Sequence, residues 1–270
     1  MGFSVNTNAG ALVALQNLNK TNSQLEVVQG RINTGLKVAG AKDDASIFAI
    51  AQAQRAELGG LSAVRSSLDR ATGGLDVAIA GAEAVSDLLI QLKEKAVAAS
   101  DEGNDSTSRT LLNNDYQQLK AQIDTIVSNA EFNGRNSIDG GDAVVAIVNS
   151  DASSQISIAA QTLSAAALSI GGGITTSAAA ASELAKIDTA IAAVNASLSA
   201  LGAGAKRVEI VGSFVEKLSD AIEVGIGNLV DADLARESAN LQSLQVKQQL
   251  GLQALSIANQ APGTVLSLFR

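Results

Sequence analysis

Between Leu61 and Ala96 apolar residues recur in strictly alternating steps of three and four: Leu61, Val64, Leu68, Ala71, Leu75, Ala78, Ala82, Val85, Leu89, Leu92 and Ala96. This is a heptad seam sustained over five repeats, the spacing that winds one helix against another. Extended back to about Ala45 the helix has ~55 residues, and at 1.5 Å rise per residue it is ~80 Å long. A rod of that length cannot sit inside a compact globule. It has to lie along other rods.

The chain supplies them. After the turn-like Asp101–Asp105 comes a second stripe: Leu112, Tyr116, Leu119, Ile123, Ile126 and Ala130. A third runs through Leu184, Ile187, Ile191, Val194, Leu198, Leu201, Ala205 and Val208. It resumes at Val211, Val215, Leu218 and Ile222 after an extra step of three, a stammer that overwinds the seam locally. Three such helices predict a mainly α fold, a long antiparallel bundle or coiled coil over 45–132 and 183–229.

Between the second and third helices the period changes. Asn133-Gly134 and Asp139-Gly140-Gly141 are turn signals, Val144–Val148 is a short β-type run, and Ile156, Ser157 and Ile158 alternate. A small β-hairpin fits residues 133–182. Residues 160–182, rich in Ala, Ser, Thr and Gly, are expected to form a surface connection.

Both ends are helical with one apolar stripe. The N-terminal stripe holds Leu12, Leu15, Leu18, Leu25, Val28 and Ile32, interrupted by Asn22. The C-terminal one holds Leu234, Leu241, Leu244, Leu252 and Leu255, followed by Leu266, Leu268 and Phe269. Residues 1–36 and 230–270 are therefore expected to pair as an antiparallel helical hairpin, joined to the bundle by a connector over 37–44. A lone pair of helices leaves half of each stripe wet, so these residues are candidates for both terminal packing and polymerisation.

What is absent narrows the chemistry. The chain has no Cys, no His and no Trp, which excludes disulfides, thiolate nucleophiles and histidine-dependent triads. A formal charge of −8 with 2% aromatics disfavours nucleic-acid binding and a cofactor pocket. No catalytic, cofactor or metal site is expected. The first cationic side chain is Lys20, so no secretory signal peptide is expected, and no run of ~18 apolar residues suggests a membrane span. Gly30–Lys37 approaches a P-loop, but Leu36 stands where Lys is required, and a helix ending at a Gly connector explains it. Asp43, Asp44, Asp231 and Asp233 precede helices and are read as caps.

Several motifs now fall into order: Val5-Asn6-Thr7-Asn8-Ala9, Asn33-Thr34-Gly35-Leu36-Lys37, Ala41-Lys42-Asp43-Asp44-Ala45 and Phe132-Asn133-Gly134. They continue with Asn228-Leu229-Val230-Asp231-Ala232-Asp233-Leu234-Ala235, Ala258-Asn259-Gln260 and the terminal Val265–Arg270. Over roughly 3–135 and 184–270 the chain resembles bacterial flagellin, in a short form with little room for an outer variable domain. The resemblance implies a structural subunit, not an enzyme, that polymerises with itself or with other flagellins into the extracellular motility filament. It also implies export through the flagellar apparatus with a flagellin chaperone, without a cleaved signal peptide, and contact with hook-junction and cap proteins. Neither nucleic acid nor membrane insertion is implied. The alternatives are a hook–filament junction protein and an adhesin-like homologue.

One further implication concerns hosts. Many flagellins are sensed by a vertebrate Toll-like receptor through an Arg and, four residues later, a Leu beside a Glu on the long helix. Carried onto Leu89–Ala98, Glu94 is retained, Gln91 takes the Arg position and Lys95 the Leu position, which implies weak sensing.

Overall fold

The Leu61–Ala96 seam forms as its spacing dictates. In the structure, a computed structural model describing residues 7–267 with side chains to Gln260, all eleven of its residues are buried, and Leu75, Ala82, Val85, Leu89, Leu92 and Ala96 are fully enclosed. They lie on α2 (Ala45–Ser100), which follows α1 (Ala9–Thr34). Next come α3 (Ser106–Asn129), strands β1 (Glu131–Phe132), β2 (Arg135–Asn136), β3 (Val144–Ile147) and β4 (Gln155–Ile158), then α4 (Ser177–Val230) and α5 (Leu234–Ser267).

Compact packing divides the chain into a terminal unit, the chain ends up to Ala56 and from Ala221, and a bundle unit, Glu57–Asp220. The divisions fall inside α2 and α4 rather than at the helix ends near 45 and 229. The terminal unit carries eight cationic and seven anionic residues, the bundle unit eleven and twenty. All of the net negative charge belongs to the bundle.

In the bundle unit α2 and α4 run antiparallel. Arg65 Nη2 meets Glu216 Oε1 at 3.6 Å and Lys93 Nζ meets Asp188 Oδ1 at 2.7 Å, with the same separation along both helices. α3 folds back on α2 through Lys95 Nζ donating to Asp115 Oδ2 (2.8 Å) and Arg109 Nε donating to the Ala99 carbonyl (3.1 Å). Asp105 caps α3, its carboxylate accepting from Ser108 N, and hydrogen bonds from the Ser108 side chain and then its backbone hold its pKa below the ordinary value. On α3, Tyr116 and Ile123 are fully buried with Val127 and Ala130, while Leu112, Leu119 and Ile126 are half-buried.

The seam on α4 differs from its expected course. Its buried row is Glu183, Ile187, Ala190, Val194, Leu201, Gly204, Val208 and Val215, while Leu184, Ile191, Leu198 and Ala205 are only half-buried. This row, continued by half-buried Ser197 and Val211, alternates four and three without an extra step, so the expected stammer does not exist. Ile187, Val194, Leu201, Val208 and Val215 of the expected stripe are buried, and only its alternate members lie on the flank. The positions between them on the contact line include the small Ala190 and Gly204, which let neighbours approach. A Cβ at Gly204 would stand 2.8 Å from Ile158 Cγ1, and one on α2 at Gly81 would stand 2.7 Å from Ile138 Cδ1.

Two antiparallel hairpins cover the bundle. β1 and β2 are joined by Asn133 (φ 52°) and Gly134 (φ 77°), the left-handed pair that a type I′ turn requires. β3 and β4 pair with Val144 opposite Ile158, and Val144, Ala146, Ile156 and Ile158 point inward while Val145, Gln155 and Ser157 face water.

The segment after β4 is not the surface connection its composition suggested. Leu163, Ala165, Leu168, Ile170 and Ile174 are all buried. Its backbone groups find partners in three places. On α3, Asp124 accepts from Ala165 N (2.8 Å), Asn113 accepts from Ile174 N (2.9 Å), and Gln117 donates to the Gly172 carbonyl (3.1 Å). Leu163 N donates to the Ile138 carbonyl (2.9 Å), and Leu168 N and Ile170 N donate to the Ser164 and Ala165 carbonyls within the strap. At its end Glu183, 3% exposed, accepts from Tyr116 Oη (3.3 Å) and Lys186 Nζ (2.6 Å). Burial, then the Glu183 charge and hydrogen bond, push the Tyr116 phenol above its ordinary pKa.

By length and composition α4 has one stretch apolar enough to cross a membrane, with mean hydropathy 1.2. No uninterrupted apolar run of ~18 residues exists there, as expected; many alanines raise the mean.

Candidate assembly surface

The terminal unit is built on α1 and α5, and its geometry begins with caps. Asn8 Oδ1 accepts from Ala11 N (3.0 Å) at the start of α1. Gly35, at φ 71°, ends that helix with its N–H on the Arg31 carbonyl (2.8 Å). This is the Gly connector, not a phosphate loop. Asp233 caps α5 by accepting from Arg236 N (3.1 Å), and Asp44 caps α2 by accepting from Ser46 N and Ile47 N, both at 3.0 Å.

Asp43 and Asp231 do something else than cap. Asp43 accepts from Ala39 N and Gly40 N and so closes the connector turn. Asp231 pairs by its backbone with Leu36, flanked by Lys37 N on the Val230 carbonyl and Ala232 N on the Gly35 carbonyl. Beneath this crossing Val38, Ala51, Ile226 and Val230 form a small core with Leu36, Ile47, Phe48, Ile222 and Leu229.

α1 and α5 run antiparallel, pinned at three levels. Arg31 Nη1 donates to Glu237 Oε1 (3.1 Å), Gln248 Nε2 to Asn22 Oδ1 (2.8 Å), and Asn8 Nδ2 to the Ala258 carbonyl (2.6 Å). The Asn22 that interrupts the apolar stripe is thus partnered across the pair. The Ala258 bond has a specific cause. Pro262, four residues on in α5, has no N–H, so the Ala258 carbonyl has no helical donor, and Asn8 supplies one. Sequence reasoning missed this second role of Asn8; the lone proline four residues after Ala258 was the available signal.

The expected packing residues divide sharply. Leu18, Val28 and Leu244 are buried, Leu18 lying where Gly251 lets the helices close. Leu25, Ile32, Leu241 and Leu255 are half-buried. Leu12 (60% exposed), Leu15, Leu234 and Leu252 do not join the intramolecular seam, and Val13, Val27, Val246, Leu250 and Ile257 are exposed beside them. The side chain of Leu266, and Leu268 and Phe269 altogether, lie outside the described residues. Two helices can bury only one strip of each, and the rest of their apolar surface faces water.

On the bundle, Gln91 and Glu94 are exposed, and Lys95 is half-buried against Asp115, whose hydrogen bond and charge raise its pKa.

Comparison with known proteins agrees with this architecture. The bacterial flagellin N-terminal helical region matches residues 5–143 and the C-terminal helical region residues 184–269. Flagellin FljM of Caulobacter vibrioides is 46% identical over 99% of this chain and 98% of its own length, which leaves no room in either for a large middle insertion. The crystal structure of Bacillus cereus flagellin superposes with TM-score 0.52 at 22% identity, covering 55% of this chain and 88% of that one. A putative flagellar hook-associated protein from Vibrio parahaemolyticus gives TM-score 0.59 at 12% identity, over 70% and 100% respectively. At such identities the two structures speak for the fold alone, and the full-length relative does not favour the junction-protein or adhesin alternatives. The chain belongs to the bacterial flagellin family: it is a structural subunit of the extracellular flagellar filament, not an enzyme.

Proposed function

We propose that copies of this chain join through the terminal pair, with the apolar residues of α1 and α5 packing first within the pair and then between copies. The observation that carries this is the set of nine aliphatic side chains on α1 and α5 that stand 43–69% exposed. Burying the exposed part of each is worth on the order of 1 kcal/mol, comparable in sum with the roughly 4–15 kcal/mol that association costs. A contact between different patches, repeated without closing, yields an open helical polymer. Leu12, Leu15, Leu234 and Leu252 take the inter-copy role, Leu18, Val28 and Leu244 the intramolecular one.

In this reading the chain reaches the growing tip through the flagellar export apparatus, without a cleaved signal peptide. A flagellin chaperone holds it beforehand, and hook-junction and cap proteins meet the filament's ends. The absence of Cys suits passage of an unfolded chain. Deleting residues after Leu252 should leave a soluble monomer with an intact bundle, because Leu61–Ala96 is untouched. Filaments from that truncated chain, seen by sedimentation and microscopy, would overturn the assignment.

The same reading makes Gln91, Glu94 and Lys95 a weak receptor patch. An exposed amide replaces a cationic fork, and a paired ammonium replaces an apolar anchor. Full response of a receptor reporter to nanomolar monomer would contradict it.

A further inference from the structure

A cavity of about 220 Å3 lies in the bundle unit between α2 and the two hairpins. The small Ala71 and Gly74 of α2 leave room on one side of it, and Phe132 and Val144 form an apolar wall. Its polar lining is made of donors. Arg70 and Arg135 stand at the rim, and Ser67 and Ser137, only 6% and 7% exposed, bring hydroxyls inside. The Ser67 oxygen already accepts from Ile147 N (3.1 Å), which leaves its proton to donate. The Ser137 hydroxyl and the Arg70 guanidinium make no hydrogen bond or ion pair among the described residues, and the carboxylate facing Arg135, Asp142, is 3.8 Å away.

No carboxylate lines the cavity, although the surrounding unit has twenty of them. In a unit with an excess of anions, two arginines with so little local compensation are the natural place for an anion from outside. Guanidiniums and hydroxyls are the donors from which a carboxylate accepts, and the Phe132 wall suits a short apolar stem.

We propose that this cavity binds a carboxylate, held by Arg70 and Arg135 and oriented by the hydroxyls of Ser67 and Ser137. Two sources present that chemistry: a free small carboxylate, or an Asp or Glu side chain of a second copy. The second source alone rests on the assembly reading above. The monomer is titrated with sodium succinate at constant ionic strength, and the arginine Nε–H resonances are followed by NMR. The expected result is a saturable shift confined to Arg70 and Arg135, weakened about tenfold by Arg70→Gln or Arg135→Gln, as loss of a charge-assisted bond implies. Arg65→Gln, outside the cavity, should leave it unchanged. Uniform, non-saturating shifts at every arginine overturn the proposal, whether or not the protein polymerises. Where the monomer binds, filament maps with and without succinate identify the source. Density continuous with a neighbouring acidic side chain marks the second copy, and isolated density dependent on succinate marks the free ligand.

Discussion

The two units use one heptad grammar to opposite ends. In the bundle unit the α2 seam is closed on several sides, by α4, α3, the hairpins and the strap, and its largest residues are fully enclosed. In the terminal unit α1 and α5 pack chiefly on each other, and nine aliphatics of theirs remain exposed among the described residues. The terminal unit is near neutral while the bundle carries the net negative charge. The bundle therefore closes its α2 seam within one chain, although Ile90, Leu111, Ile210 and Phe214 on its outer faces are exposed. The terminal pair leaves apolar surface open, and on the proposed reading that surface is what copies of the chain cover.

The sharpest way to break that contrast is to place one carboxylate in each unit. Leu75→Asp puts an unpaired charge into a fully buried seam and should cost at least about 4 kcal/mol, seen as collapse of the denaturation midpoint. Leu15→Asp, on an exposed position of α1, should change monomer stability by no more than about 0.5 kcal/mol and yet abolish filaments in sedimentation. Equal destabilisation by both would mean that the terminal pair is as closed as the bundle.

A smaller effect tests how tightly the bundle is closed. A methyl added at Gly81 meets Ile138 Cδ1 and Ala130 Cβ, both in buried residues, so Gly81→Ala should destabilise by about 1–3 kcal/mol. Nothing lies within 4 Å of a Cβ at Gly212 on α4, so Gly212→Ala should stabilise by roughly 0.5–1 kcal/mol. Urea midpoints of the two variants decide; the same sign in both would show that the small residues of α2 are not close-packing sites.

The smallest effect is one of pH. The Tyr116 phenol has its pKa raised by burial and by Glu183, and Lys95 has its own raised by Asp115. Their contributions are complete below the unfolded values of about 10 and 10.4 and decline as pH rises through the folded ones. Stability measured at rising alkaline pH should therefore fall, and Tyr116→Phe should flatten that fall. An unchanged slope would remove Tyr116 from the account.

Much of this was legible because it is local and periodic. The α2 seam follows from residue spacing alone, the I′ hairpin from Asn133-Gly134, and the α1 terminus from Gly35. What escaped depends on partners distant in sequence. The strap's buried Leu163, Leu168 and Ile170 share a segment with so much Ala, Ser and Gly that composition outweighed them, and its backbone partners include Ile138 and the α3 side chains Asn113, Gln117 and Asp124, all distant in sequence. On α4 the buried Ile187, Val194, Leu201, Val208 and Val215 follow from the spacing, while the contact positions between them, such as Ala190 and Gly204, are small residues that a search for large apolar ones passes over. At the assembly surface the apolar stripes were visible, but not which leucines the pair itself would cover. That follows from the facing angle of two helices, fixed by Arg31–Glu237, Asn22–Gln248 and Asn8 on Ala258.

Hydrogen exchange on monomer and filament, resolved along the chain by mass spectrometry, tests the contrast most directly. Amides of α2 between Leu61 and Ala96 should already be strongly protected in the monomer and change little on assembly. Those of α1 and α5 should exchange far faster in the monomer and gain protection of a thousandfold or more in the filament, about 4 kcal/mol. Monomer protection in α1 and α5 equal to that of α2, with no gain on assembly, would contradict a terminal pair whose open surface is covered by copies of the chain.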